Sequence, residues 1–429
     1  MPNPPVTLAL PERIGRWARR RGPVFSIGVP PVRNTFLIGP EANRFVFAND
    51  TLFRAREAFR ALIPVDGETA LIVTDGPDHA RRRSLVRPAL HAKQVDGYVR
   101  IMAQAADEAL ATVPGEEVFD AYALFRAAIR RSTTLSLFGE RFASRATGFG
   151  DDLQPVLDMV DTWPQAVDLH ERLRTPRWRR AMASRARVDE VVLEEIARSR
   201  EVGPDADAGV LSTLVHGRDE SGSGLSDLEI RDQVVSLIAA GYETTSGAMG
   251  WLIYALGSDR ALQERVREEV LPVTGGERPS AEQLRDLPLL SACVTETLRL
   301  YPPATISARY VAAGFEFAGT QVPAGSMVIY SPYLTHRDPE VYADPLTFSP
   351  ERWLDGQRRP PHEYLPFGGG AHRCIGSTMA TTELVVMAAR LLSRGRIELA
   401  PQRVRATSFA AMRPRSGMRI ALRDTSTNA

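Results

Sequence analysis

From residue 234 to residue 257 the sequence is almost entirely apolar or small, and the helical periodicity that carries this run begins earlier, at Ser226. Ser226 and Glu229 make a Ser-x-x-Glu signature, in which each side chain caps the other's backbone N–H at a helix start. A helix of about thirty residues is far longer than the mean of roughly 11–12, so this one is expected to cross the whole molecule. By length it would also cross a bilayer. Glu243 argues against that, because a charge at mid-membrane costs about 2.5–3.5 kcal/mol on insertion scales. Thr244, Thr245 and Ser246 add further polar cost. The segment reads as a buried helix of a soluble protein with a polar task at its middle.

The rest of the chain sets limits on what that protein does. With 429 residues, 44% hydrophobic and 24% charged, it is long enough for one large domain or a few ordinary ones and too apolar for bulk disorder. A formal net charge of +1 gives no electrostatic reason to bind nucleic acid. Lys93 is the only lysine and the other 52 basic residues are arginine, so no single arginine is a strong clue. Only Cys293 and Cys374 are present, which excludes a disulfide framework and a four-cysteine zinc site and makes a reducing cytoplasm the default. Arg13, Arg16, Arg19 and Arg20 interrupt the start, so neither a signal peptide nor a membrane anchor is expected.

Helical periodicity appears at 41–49, 78–90, 95–112, 119–137, 182–200, 226–257, 261–270, 287–300 and 377–392, and strand alternation near 23–37, 308–317 and 327–330. There is no repeat and no linker. The expected architecture is one large, mainly α domain over 1–429 with a small β region and loose ends at 1–5 and 424–429.

The chemistry points to Phe367-Gly-Gly-Gly-Ala-His372-Arg-Cys374-Ile-Gly376. Three glycines let backbone approach whatever lies beside the loop. Cys374 falls just before an apolar helical pattern, where the positive helix end favours thiolate. Gly376 leaves room for a flat, bulky group. The string closely resembles the heme-binding loop of the cytochrome P450 monooxygenases, with Cys374 matching the axial iron ligand. The resemblance runs from about residue 24 to residue 414 and implies heme b (iron protoporphyrin IX) held between the long central helix and the cysteine-loop helix.

Three further constellations match the family in order and spacing. Glu296-Thr-Leu-Arg299 places an acid and a base at i,i+3, and Pro350-Glu-Arg352-Trp resembles the segment that adds a second arginine. The resemblance makes Glu296, Arg299 and Arg352 a buried structural network beneath the heme. Ala240-Gly241-Tyr-Glu243-Thr244-Thr245 resembles the oxygen-activation motif. It implies that Glu243 and Thr244 deliver protons for dioxygen cleavage and that Gly241 opens a groove. The bland alternative is a threonine hydroxyl bonded back to the previous turn. His79 and Arg83 share a helix face, and with Arg309 and His372 they match positions that contact the heme carboxylates. Arg81, Arg82 and Arg87 offer a basic face to an acidic redox partner or, more simply, to solvent.

By the same resemblance the substrate pocket takes in the loop 59–72, together with Leu237, Ala239 and Ala240, Thr305, Ile306 and Ser307, and Ala411 and Met412. The small residues Ala239 and Ala240, with Thr305 and Ser307, point to a sizeable, mostly apolar molecule carrying some polar groups, of terpenoid, steroid, lipid or polyketide type. The implied activity is monooxygenation by a cytoplasmic monomer, with electrons from NAD(P)H through a separate ferredoxin and ferredoxin reductase. A heme-thiolate peroxygenase or isomerase, and a non-catalytic heme sensor, are the competing classes.

Overall fold

The computed structural model describes residues 6–28, 33–113, 115–204, 209–356, 359–408 and 411–423. The ends expected to be loose lie outside these residues. Fifteen α-helices carry the described fold. The first ten are α1 (Ala9–Arg21), α2 (Pro40–Ala48), α3 (Ile63–Asp66), α4 (Gly76–Val86), α5 (Ala92–Leu110), α6 (Ala121–Phe138), α7 (Ala146–Val160), α8 (Pro164–Arg172), α9 (Pro176–Val202) and α10 (Val210–His216). They are followed by α11 (Asp227–Ser258), α12 (Arg260–Thr274), α13 (Pro288–Leu300), α14 (Pro332–Thr335) and α15 (Ser377–Arg394).

The twelve strands are short and peripheral. They are β1 (Val24–Ile27), β2 (Asn34–Leu37), β3 (Phe53–Arg54), β4 (Phe119–Asp120), β5 (Ser307–Val311), β6 (Phe315–Phe317), β7 (Thr320–Val322), β8 (Met327–Tyr330), β9 (Arg396–Leu399), β10 (Ala406–Ser408), β11 (Met412–Pro414) and β12 (Arg419–Arg423). The largest sheet runs β1-β2-β8-β5-β3, antiparallel except for the parallel β2–β8 pair, and sets Arg309 opposite Val328. The alternating run at 308–317 is split. Gly314 lies in the turn between β5 and β6, which join different sheets.

The expected long helix is α11, and both halves of its capping box form. The Glu229 N–H donates to Ser226 Oγ at 3.2 Å and the Ser226 N–H donates to Glu229 Oε2 at 2.9 Å. At 1.5 Å per residue it spans about 48 Å. Its buried face packs on α6, α15 and β11. Trp251 lies at the centre of that core, fully buried, stacked on Tyr301 at 4.7 Å and donating to the Met412 carbonyl at 3.0 Å. Gly247 permits the approach, since a Cβ there would sit 2.7 Å from that same carbonyl. Among the described residues the helical stretch long and apolar enough to cross a membrane is 370–394 rather than α11, and 56% of its most apolar window is buried inside the protein.

Helices α1, α7, α8 and α10 escape the periodicity reading for identifiable reasons. α1 is heavily interrupted by arginine, α7 contains Pro155, and α8 and α10 have only 9 and 7 residues. Replacing Trp251 by Ala is expected to lower stability by about 3–5 kcal/mol through the cavity it leaves. Trp251→Phe, which mainly strands the Met412 carbonyl, should cost about 1–3 kcal/mol. Guanidinium unfolding midpoints measure both.

Candidate functional site

The buried acid–base network forms as expected and is larger than the sequence indicated. Glu296 and Arg299 are fully buried, and Arg299 donates bidentately through Nε at 2.7 Å and a terminal nitrogen at 2.8 Å. Arg352 Nε reaches the same carboxylate at 3.1 Å. Two donors were not foreseen: the Ser349 N–H and Trp353 Nε1, both at 2.9 Å. The remaining donor capacity of Arg299 goes to the carbonyls of His336, Pro345 and Thr347. Every lone pair and proton of this buried pair is answered, the condition under which such a pair is tolerated.

His336 carries the network to the cysteine loop. Its Nδ1 lies 2.9 Å from the Arg299 carbonyl, so that nitrogen holds the proton, and Nε2 accepts the Leu365 N–H at 2.9 Å. Burial and the neighbouring Arg299 push its pKa down to about 3, which keeps it neutral. No short motif surrounds His336, and its role becomes visible only from its contacts.

The loop itself is shaped against α2. Gly368 and Gly370 have φ of +64° and +67°, where a side chain is strained. A Cβ on Gly369 would lie 2.3 Å from the Phe47 ring. The close approach expected of these glycines is therefore made at least partly by protein, and Asp50 Oδ2 accepts the Ala371 N–H at 3.2 Å. The Phe367 carbonyl accepts the Cys374 N–H at 2.8 Å, which fixes the turn that presents the sulfur. Burial pushes the Cys374 thiol up, and the Gly376 N–H, Arg83 and Arg373 offset only part of that rise. A coordinated metal ion is what would deprotonate the thiol outright.

Cys374 is nonetheless exposed, and so is Ala240, although Ile238, Tyr242 and Thr245 on the same helix are buried. A Cβ added to Gly376 would meet nothing within 4 Å, and one on Gly241 only Thr133 Cγ2 at 3.9 Å. Gly241 and Ala240 of α11, and Gly376 and Cys374 of the loop, therefore border open space. A cationic set lies beside it. His79 is buried, its Nε2 has no hydrogen-bond partner, and its ring lies 4.2 Å from that of His372. Burial, His372 and Arg83 push the His79 pKa down to about 4. His372 Nε2 is 3.3 Å from Asp75 Oδ1. Burial raises the Asp75 pKa, but His372 and the N–H groups of Ala55 and Arg56 outweigh it and hold that carboxyl at about 2.

Arg83 donates to the Arg373 carbonyl at 2.6 Å and Arg309 to the Ala308 carbonyl at 2.8 Å. Neither guanidinium has a carboxylate partner among the described residues. A thiol, an unpartnered imidazole nitrogen and two guanidiniums without counter-ions are the donor set that an iron porphyrin with two carboxylates requires. The residues present fit heme.

The polar middle of α11 differs from the simplest relay. Thr244 Oγ1 donates to the Ala240 carbonyl at 2.6 Å, the back-bond raised as the alternative. Glu243 turns away to pair with Arg126 on α6, which also lies 4.8 Å over the Tyr242 ring. With Tyr122, Arg130, Tyr242 and Arg413, Arg126 lines a cleft of about 300 Å³. Of the anticipated pocket residues, Leu237, Ala239, Ile306 and Ser307 are half-buried alongside the exposed Ala240. Thr305, Ala411 and Met412 are buried instead. Thr305 is tied to Ser408 at 2.9 Å, and the Met412 N–H donates to the Pro303 carbonyl at 2.8 Å. Arg81 and Arg82 do not form a free basic face, since both turn onto Glu229 at the start of α11.

Comparison with known proteins agrees with this geometry. Residues 10–420 match the sequence model of the cytochrome P450 family. A Mycobacterium tuberculosis protein that carries the name cytochrome P450 139 is 47% identical over 95% of this chain and 96% of its own length. The cyclooctat-9-en-7-ol 5-monooxygenase of Streptomyces melanosporofaciens is 32% identical over 89% of this chain and 83% of its own. Among solved structures, the retinoic acid-bound cyanobacterial CYP120A1 superposes with a TM-score of 0.86 at 26% identity, covering 95% of this chain and 93% of that one.

Replacing Glu296 by Gln should leave Arg299 and Arg352 facing a neutral amide, at a cost of about 3–5 kcal/mol. Lower heme content per protein and an earlier unfolding midpoint are the expected readings.

Proposed function

The chain belongs to the cytochrome P450 family, and from that premise we propose that it oxidises a mostly apolar molecule of the terpenoid class, with electrons from a separate ferredoxin and its reductase. It is a heme-thiolate monooxygenase with heme b as its cofactor. When bound, heme supplies the redox centre at which dioxygen is reduced and one of its atoms is passed to substrate. Cys374 would hold the iron, and its thiolate would increase electron density there. His79, Arg83, Arg309 and His372 answer the two carboxylates, and Glu296, Arg299 and Arg352 keep the ligand loop rigid.

The observation that carries the reading is the Ala240–Thr244 face of α11, open within an otherwise buried stretch. Thr244 Oγ1 donates its proton to the Ala240 carbonyl, which leaves its lone pairs free to accept a proton donor at the reaction centre. Once protonated from solvent in the adjoining cleft, Glu243 would pass a proton to the Thr244 oxygen as the Thr244 hydroxyl turns from the Ala240 carbonyl and hands its own proton on to the reaction centre. To do so its carboxylate rotates from Arg126 toward Thr244, while Arg126 keeps its 3.4 Å contact to Gln154. Because Arg126 lines a cleft, the exchange has a source of protons beyond the pocket.

The substrate class rests on Ala239 and Ala240, whose small side chains leave room beside Leu237, Ile306 and Ser307. It also rests on relatives whose names specify cyclooctat-9-en-7-ol and bound retinoic acid, each a largely apolar skeleton with one polar group. The redox partners, and a cytoplasmic location, are proposed from the bacterial relatives.

Replacing Thr244 by Ala should leave reductant consumption within about threefold of wild type while product per reductant falls about tenfold or more, with peroxide making up the balance. Coupling unchanged in this variant would favour a peroxygenase or an isomerase. A spin-state titration of the ferric protein with a terpenoid panel identifies the ligand.

A further inference from the structure

The cleft that Arg126 lines, about 300 Å³ in volume, carries a set of donors that the reaction at Cys374 does not use. Tyr122, Arg126 and Arg130 stand at i, i+4 and i+8 on α6 and share one face of that helix. Arg413 of β11 and Arg415, just past the end of that strand, line the same cleft. Tyr242 and Pro414 add apolar surface to it.

Two of these donors are buried and have nothing to bond. The hydroxyl of Tyr122, a residue only 9% exposed, has no hydrogen-bond partner, and neither has Arg126 Nε. Burial first and Glu243 second push the Tyr122 pKa up, against the pull of Arg126 and Arg413, so the phenol keeps its proton and stays a donor. A buried donor left unbonded is costly, and two beside one cleft call for an acceptor inside it.

The charges around the cleft say what kind of acceptor. Arg126 pairs with Glu243 and Arg413 with Asp161, while Arg130 lies a loose 3.7 Å from the exposed Asp151. None of those three acids lines the cleft. Arg415 is exposed and has no carboxylate partner among the described residues. The acid that does line the cleft is Asp120, and both of its oxygens are engaged. Its Oδ1 accepts the N–H groups of Ala123 and Met418 at 3.2 and 2.9 Å, and a Cβ on Gly417 would lie 2.1 Å from its Oδ2. The walls thus offer guanidinium and hydroxyl protons, the donors that bind carboxylate and phosphate oxygens most strongly. The volume is about ten times that of one water, which leaves room beside Tyr242 and Pro414 for the organic part of such an anion.

We propose that the cleft between α6 and β11 binds a small organic oxyanion, a carboxylate or a phosphate, through Tyr122, Arg126 and Arg415, and that its occupant competes with Glu243 for Arg126. The consequence rests on the proton-relay reading and gives that relay a control: with the cleft filled, the Glu243 carboxylate is freer to turn toward Thr244.

The test titrates the heme-loaded enzyme with phenyl phosphate and with benzoate by calorimetry, against sodium chloride at equal ionic strength. At least one should bind with a Kd below about 1 mM, and the tighter of the two identifies the head group. Tyr122→Phe removes a hydroxyl that has no partner in the fold, so the variant should unfold no earlier than wild type while its affinity falls about tenfold or more. Arg415→Gln, at an exposed position, should weaken binding about twofold or more. Glu243→Gln takes away the competing carboxylate and should tighten binding about fivefold. The proposal is overturned if neither compound binds more tightly than chloride, if Tyr122→Phe and Arg415→Gln both bind as wild type does, or if Glu243→Gln leaves the affinity unchanged. Calorimetry needs no turnover, so these results stand even where Thr244→Ala leaves coupling unchanged and the proton-relay reading fails.

Discussion

The Glu296 carboxylate is the point from which the proximal half of the molecule is organised. It accepts from two guanidiniums, an indole and a backbone N–H, with no exposure to water. An ion pair this deep adds little stability relative to an apolar substitute, but it is expensive to break. What it provides is geometry. From Arg299 the bonds pass through the backbone to His336, from His336 to Leu365, and through the turn in which the Phe367 carbonyl fixes Cys374. Crowding by protein atoms on one side raises the pKa of the Cys374 thiol, while its other side is open. With heme bound, the loop would hold its sulfur where coordination to iron would favour the thiolate.

The distal half depends on one helix serving two purposes. Over most of its length α11 is packed on all sides, with Trp251 at the heart of the core. Around Ala240 the packing opens, and the same few turns present a threonine hydroxyl inward and a glutamate toward Arg126. Near its start, Asp232 and Gln233 hydrogen-bond the backbone of Thr69 and Leu71.

Much of this could be read from the sequence, because the features that carry the chemistry are local. The capping box, the Glu-x-x-Arg spacing, the glycine–cysteine loop and the apolar run each fit within a few turns of chain. The parts that could not be read involve partners distant in sequence. His336, Trp353, Phe47 and Arg126 have ordinary surroundings in the chain and matter only through contacts that folding creates. Thr305 and Met412 show the opposite error. Family position suggested pocket residues, while their backbone bonds to Tyr333 and Pro303 draw them into the core. Helices α7, α8 and α10 do not stand out in the sequence because Pro155 interrupts α7 and because α8 and α10 run only 9 and 7 residues, and tertiary packing supplies what propensity lacks.

The central claim is that the sulfur of Cys374 is the iron ligand. The most direct measurement is the absorption spectrum of the purified, heme-loaded protein after reduction under carbon monoxide, compared with that of Cys374→His. The account predicts the red-shifted Soret band of a thiolate-ligated carbonyl complex in the natural protein, and the band of an imidazole-ligated complex in the variant. A fully loaded natural protein that gives the imidazole-type band, or two proteins with the same spectrum, would contradict it.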